Sequence, residues 1–123
     1  MKQIEAPNTP AAIGPYSKAY AAGGFVFTSG QIGVDAQGNA AQGIEAQAEQ
    51  AIKNVGEILK AAGADYTKVL KTTCFLADMA DFAAFNAVYA KYFTGKPARS
   101  CVAVKTLPMG MLCEVEAIAY IGE

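Results

Sequence analysis

The sequence predicts an α+β fold, a sheet carrying two helices on one face. Two stretches, 44–62 and 78–93, have apolar residues at helical spacing. Strand-like segments surround them in the order strand, strand, strand, helix, strand, helix, strand, strand. The chain has 123 residues, 53% of them hydrophobic and 17% charged, enough for one sizeable core in a single domain spanning 1–123.

Residues 2–6 alternate weakly, as a short edge strand does. Residues 7–16 hold three prolines and one glycine and read as a loop. It ends in the rigid turn Gly14-Pro15-Tyr16-Ser17, where Tyr16 either covers the core edge or walls a pocket. Residues 18–22 and 25–29 flank Gly23-Gly24, a two-residue hairpin signal. The second of these strands runs into Ser29-Gly30-Gln31. Gly30 marks either a strand bulge or a place where a ligand meets the backbone. Residues 35–43 are polar and glycine-containing, hence a loop.

In 44–62 the apolar face is Ile44, Ala48, Ala51, Ile52, Val55, Leu59 and Ala62, with Gly63 as the expected stop. Glu45, Glu49 and Lys53 lie on its wet face. Residues 68–77 form a β-branched, apolar strand in which Cys74 reads as a small core residue. In 78–93, Phe82, Phe85, Tyr89 and Tyr92 form one stripe, with Gly95 as the expected end. Asn86 sits inside that stripe. A buried amide needs partners, so it either ties down a loop or orients a site residue.

Residues 96–104 read K-P-A-R-S-C-V-A-V, a strand opened by Pro97. Arg99 is the only arginine in the chain. Alternation puts Arg99, Cys101 and Ala103 on one face and Ser100, Val102 and Val104 on the other. With the second set facing the core, Arg99 and Cys101 would face a cleft or a partner. Arg99 then grips a carboxylate with its planar fork, or makes a surface ion pair worth at most about 1 kcal/mol. Residues 112–121 alternate Glu114, Glu116, Ile118 and Tyr120 against Val115, Ala117, Ala119 and Ile121, the core set. Pairing of this strand with the Arg99 strand would bring Arg99 and Glu114 together as a structural ion pair or as a site. The sheet face opposite the helices lacks a cover within the chain and invites a second copy.

Composition narrows the chemistry. Histidine is absent, which removes Ser-His-Asp and Cys-His nucleophiles and His-based ribonuclease mechanisms. It also removes the commonest metal ligand, and no C-x-x-C spacing replaces it, so no metal site is expected. Proton transfer falls to Glu, Asp, Lys, Tyr, Cys or bound water. A net charge of −1 argues against a nucleic-acid footprint or an anionic-lipid surface. No apolar run has membrane-spanning length, and residues 1–6 show no leader pattern. Cys74, Cys101 and Cys113 are odd in number and far apart, which points to reduced thiols and a cytoplasmic location.

Several blocks together resemble the Rid (YjgF) family. They are Gly14-Pro15-Tyr16-Ser17, Thr28-Ser29-Gly30-Gln31-Ile32, Asn54-Val55, Phe85-Asn86, Pro97-Ala98-Arg99-Ser100-Cys101-Val102 and Glu114-Val115-Glu116-Ala117-Ile118-Ala119. Within that family the chain is most similar to the RidA group, the 2-iminobutanoate/2-iminopropanoate deaminases. The resemblance implies a chorismate-mutase-like fold and a homotrimer with three clefts, each between two subunits. It implies cofactor-free hydrolysis of enamine and imine acids, such as 2-aminoacrylate, to 2-keto acids and ammonia. Such intermediates escape from pyridoxal-phosphate dehydratases. By position, Arg99 would hold the substrate carboxylate and Glu114 the attacking water. Ser29, Gly30 and Cys101 would line the substrate, and Tyr16 and Asn86 would complete the cleft from the adjoining subunit. RNA cleavage with translation inhibition, and non-catalytic keto-acid binding or chaperone action, are the alternatives.

Overall fold

The computed structural model describes residues 1–122. The strands are β1 (Lys2–Ile4), β2 (Ala19–Ala22), β3 (Phe25–Thr28), β4 (Gln31–Ile32), β5 (Val69–Leu76), β6 (Ala98–Ala103) and β7 (Cys113–Tyr120). The helices are α1 (Ile44–Ala61) and α2 (Phe82–Tyr92). The sheet runs β1-β2-β3-β7-β5-β6, and β4 adds to β7 beyond β3. Among the described residues only the β5–β6 pair is parallel, so the sheet is mixed. Both helices contribute side chains to one core against one face of this sheet.

Local chemistry accounts for most of these elements. Gly23 and Gly24 have φ of 59° and 85°, the left-handed pair a tight hairpin turn requires. Helix α1 buries Ile44, Ala48, Ala51, Ile52, Val55, Ile58 and Leu59, and Gly63 follows its C-cap at φ 83°. The Asp78 carboxylate accepts from the Ala80 N–H, capping a 3-10 turn, Met79–Asp81, that leads into α2. The helix proper therefore starts at Phe82. It stops at Tyr92, and the residue that turns the chain is Lys96, at φ 52°, rather than Gly95. Strand β7 alternates as its sequence does, with Cys113, Val115, Ala117 and Ala119 buried.

Two further expectations, both about the Arg99 strand, also fail. Strand β6 does not pair with β7; β5 lies between them, with Cys74 opposite Cys101 on one side and Val115 on the other. The faces of β6 are also reversed. Arg99 and Cys101 are half-buried on the helix side, and Ser100 and Val102 are exposed. The reason is the chemistry of the other face. It carries Phe27, Phe75, Val102 and Ile118 with Glu114 and Glu116, so it too is rich in apolar side chains. Phe27 and Val102 remain 45% and 47% exposed there, so hydrophobicity on β6 does not mark the core side. No described helix is long and apolar enough to cross a membrane.

Candidate active site

The site residues expected from the sequence fall into two groups, held by opposite faces of the sheet. The first is built on β6 and α2. Register places Arg99 beside Thr72 of β5, and Thr72 beside Ala117 of β7, all on the helix side. Arg99 Nη1 donates to Asn86 Oδ1 at 2.8 Å. The guanidinium carbon stands 4.7 Å from the centre of the Tyr89 ring and 5.5 Å from that of Phe82. Arginine is thus oriented by a neutral amide and two rings, not by a carboxylate. It opens on a cleft of about 510 Å³ whose walls include Asn86, Phe93, Lys96 and Pro97. Asn86 comes from the same chain as Arg99, which corrects its expected place on the adjoining subunit. Its side-chain oxygen is a partner of the Arg99 guanidinium.

The second group is built on loops. Tyr16 and Gly30 line a cleft of about 370 Å³ together with Ile13, Ile32, Val34 and Met109. Ile32 pairs with Glu114 across β4 and β7, so the carboxylate lies beside this cleft. Glu114 packs directly on Gly30: a Cβ at that position would overlap Glu114 Oε2. Gly30 is therefore a close approach of side chain to backbone. Burial first, and the Glu116 charge second, push the Glu114 carboxyl above the ordinary carboxylate range. Ser29 Oγ donates to the Ser17 carbonyl at 2.5 Å, so its hydroxyl fixes the Tyr16 turn instead of lining the cleft freely. Asn54 Nδ2 donates to the carbonyls of Ile32 and Val34, at 3.2 and 2.8 Å, and pins the cleft floor to α1.

Cys101 follows Arg99 by two residues on the same face of β6. It packs against the core beside Cys74; burial raises its thiol pKa, and the Arg99 charge acts on the thiol in the opposite direction. Arg99 and Glu114 do not meet within one chain. Three contributors were absent from the sequence-based set: Tyr89, Phe82 and Thr72. The signal for the two rings was present, since Phe82, Asn86 and Tyr89 follow one another at helical spacing around the amide that holds Arg99. Among the described residues, no group of three His, Cys, Asp or Glu side chains could hold a metal ion.

The Endoribonuclease L-PSP family model matches residues 6–121. The chain is 48% identical to mouse 2-iminobutanoate/2-iminopropanoate deaminase, over 98% of this chain and 92% of that protein. It is 47% identical to the RutC family protein slr0709 of Synechocystis, over 98% and 97% of the two chains. The structure of Escherichia coli TdcF with bound serine superposes with a TM-score of 0.94 at 42% identity, covering 98% of each chain.

Proposed function

The chain belongs to the Endoribonuclease L-PSP family, which includes the YjgF proteins, and on that premise we propose that it hydrolyses reactive enamine and imine acids to 2-keto acids and ammonia. The substrates are 2-aminoacrylate, 2-iminopropanoate and 2-iminobutanoate, and relatives at nearly half identity carry the name of this activity. The observation that carries the reading is Arg99 itself. The one guanidinium of the chain stands at a cleft, aligned by a neutral amide and two rings. That is a clamp for a small carboxylate.

Arg99 and Glu114 lie on opposite sheet faces, so both can reach one small acid only if a second copy supplies one of them. We assign a homotrimer with a cleft at each junction. The Arg99–Asn86 half comes from one subunit and the Tyr16–Gly30–Glu114 half from the next. β6 is the free edge of the sheet, and the uncovered face beside it carries Phe27 and Val102. In the reaction, Arg99 anchors the carboxylate of the imine. Glu114 takes a proton from water as the water oxygen adds to the imine carbon and gives it to nitrogen, forming a carbinolamine. It then takes the carbinolamine hydroxyl proton and passes it to nitrogen as the C–N bond breaks, leaving the 2-keto acid and ammonia. Imines hydrolyse readily, so positioning supplies most of the rate. The protein acts in the cytoplasm, on intermediates released by pyridoxal-phosphate dehydratases.

Subunit mixing tests the reading. Arg99→Ala and Glu114→Gln chains are each inactive toward 2-aminoacrylate generated by a serine dehydratase. Co-refolded in equal amounts, they regain activity at about one quarter of the junctions, because some pair an intact Arg99 with an intact Glu114. No recovery in a correctly assembled mixture places both residues in one chain's site, or neither in any. The family's descriptive name makes RNA cleavage the rival activity. It requires binding that weakens steeply with salt, measured by titrating RNA at several ionic strengths.

A further inference from the structure

A buried hydroxyl pair lies under the Arg99 clamp. Tyr89 is 8% exposed and Thr72 is fully buried, and their hydroxyl oxygens are 2.7 Å apart. Thr72 is also the β5 neighbour of Arg99 in the parallel register. The Tyr89 ring stacks on Phe93 at 4.5 Å between centroids, with planes 29° apart. For packing alone, phenylalanine and valine would fill these places without the cost of two polar atoms in the core. The hydroxyl pair instead fixes how the ring is turned, and the guanidinium lies over that ring. Burial pushes the Tyr89 phenol up, with the Thr72 hydrogen bond and the Arg99 charge opposing it, so the ring stays neutral at physiological pH.

We propose that Tyr89, tethered to Thr72, is a positioning residue that sets the plane of the Arg99 guanidinium and thereby the affinity of the site for the substrate carboxylate. Asn86 holds one end of the fork, and the ring supports the fork's face. This rests on the clamp role given to Arg99 above. The ring acts only through a planar cation, so its contribution depends on arginine and not on positive charge alone.

The experiment is a double-mutant cycle on the assembled protein, read as the Kd for 2-ketobutyrate by NMR titration. Tyr89→Leu weakens binding about tenfold in the Arg99 protein. In the Arg99→Lys background, which keeps the charge and removes the plane, it weakens binding by less than about twofold. Equal losses in the two backgrounds, or no loss in a folded Tyr89→Leu protein, overturn the proposal. Should Tyr89→Leu not fold, Tyr89→Phe and Thr72→Val decide. Each raises Kd about threefold, and together they raise it no further, since both cut the same tether. Additive losses, or none, refute the tether. Unsubstituted protein that binds no 2-ketobutyrate overturns both proposals. Binding without imine turnover overturns the reaction alone, and the cycle still decides the role of Tyr89.

Discussion

The two half-sites are built by opposite strategies. The Arg99 half stands on a strand and a helix, and each part of its framework has a partner: guanidinium on amide, guanidinium on ring, ring hydroxyl on threonine. The Glu114 half sets residues of β7 and the two-residue β4 among loops, with Met109 and Gly38 of the same cleft in left-handed conformations. A carboxylate clamp must be in place before the substrate arrives, so it belongs on rigid elements. A proton-transfer group needs both reach and a shifted pKa: packing against Gly30 places the Glu114 carboxylate, and partial burial with the Glu116 charge shifts it. The two strategies predict different failures.

Replacing Arg99 breaks the comparison most severely. Arg99→Ala removes the charge-assisted bonds to the substrate and lowers kcat/KM by at least about 100-fold, with loss of 2-ketobutyrate binding. Glu114→Gln instead lowers kcat by about 100-fold while keto-acid binding persists. Coupled-assay kinetics beside a binding titration separate them. If both variants lose binding alike, the division into clamp and proton-transfer halves is wrong.

Gly30→Ala sharpens the Glu114 side. The new Cβ and the carboxylate oxygen cannot share their space, so Glu114 must move. A displacement near an ångström costs roughly 10- to 100-fold in kcat. Thermal stability changes little, because the open cleft can take the displaced side chain. A Gly30→Ala enzyme with unaltered kcat would show that the carboxylate's position against the backbone is immaterial. Asn86→Ala tests the Arg99 side more gently. One hydrogen bond is lost and the ring platform remains, so KM rises about three- to tenfold and kcat holds. A kcat effect without a KM effect would contradict the orienting role of Asn86.

These contrasts also explain what could be seen in the sequence. Hairpin, first helix, β5 and β7 were legible because each announces itself within a few residues. Gly23-Gly24 demands left-handed φ, 44–62 repeats at helical spacing, and β7 alternates strictly. The insertion of β5 between β6 and β7 was not legible. Pairing of distant strands leaves no local period, and sequence neighbours are adjacent only about two-thirds of the time. The face of Arg99 was misread for a related reason. Val102 is apolar because the uncovered face is apolar, and alternation divides a strand into two sets without saying which set points inward. The two-residue β4 is too short to carry any pattern. Arg99, Asn86, Gly30 and Glu114 were singled out one by one, and that Arg99 and Glu114 lie on opposite faces of the sheet required coordinates.

The smallest effect expected is on stability, and it runs opposite to the effect on activity. Glu114 has a folded-state pKa above its unfolded value because burial and the Glu116 charge disfavour the ionised form. A raised acid pKa means the native state holds its proton more tightly than the unfolded chain does. The stabilisation from that proton is complete below the unfolded pKa and is lost as pH rises through the folded pKa. At neutral pH the native protein therefore carries an ionised group in an unfavourable place. Glu114→Gln relieves this, so the inactive variant melts higher than its parent at pH 7. The gap in Tm narrows as pH falls through the shifted carboxylate range and closes below the ordinary one, where the parent residue is neutral too. The Glu116→Gln protein should show part of the same gain, since it removes the second cause. Melting curves across this pH range decide the matter. A Glu114→Gln protein less stable than its parent at pH 7 would mean that the ionised carboxylate is held by favourable contacts, and that the loop-built half-site is as fully partnered as the half built on β6 and α2.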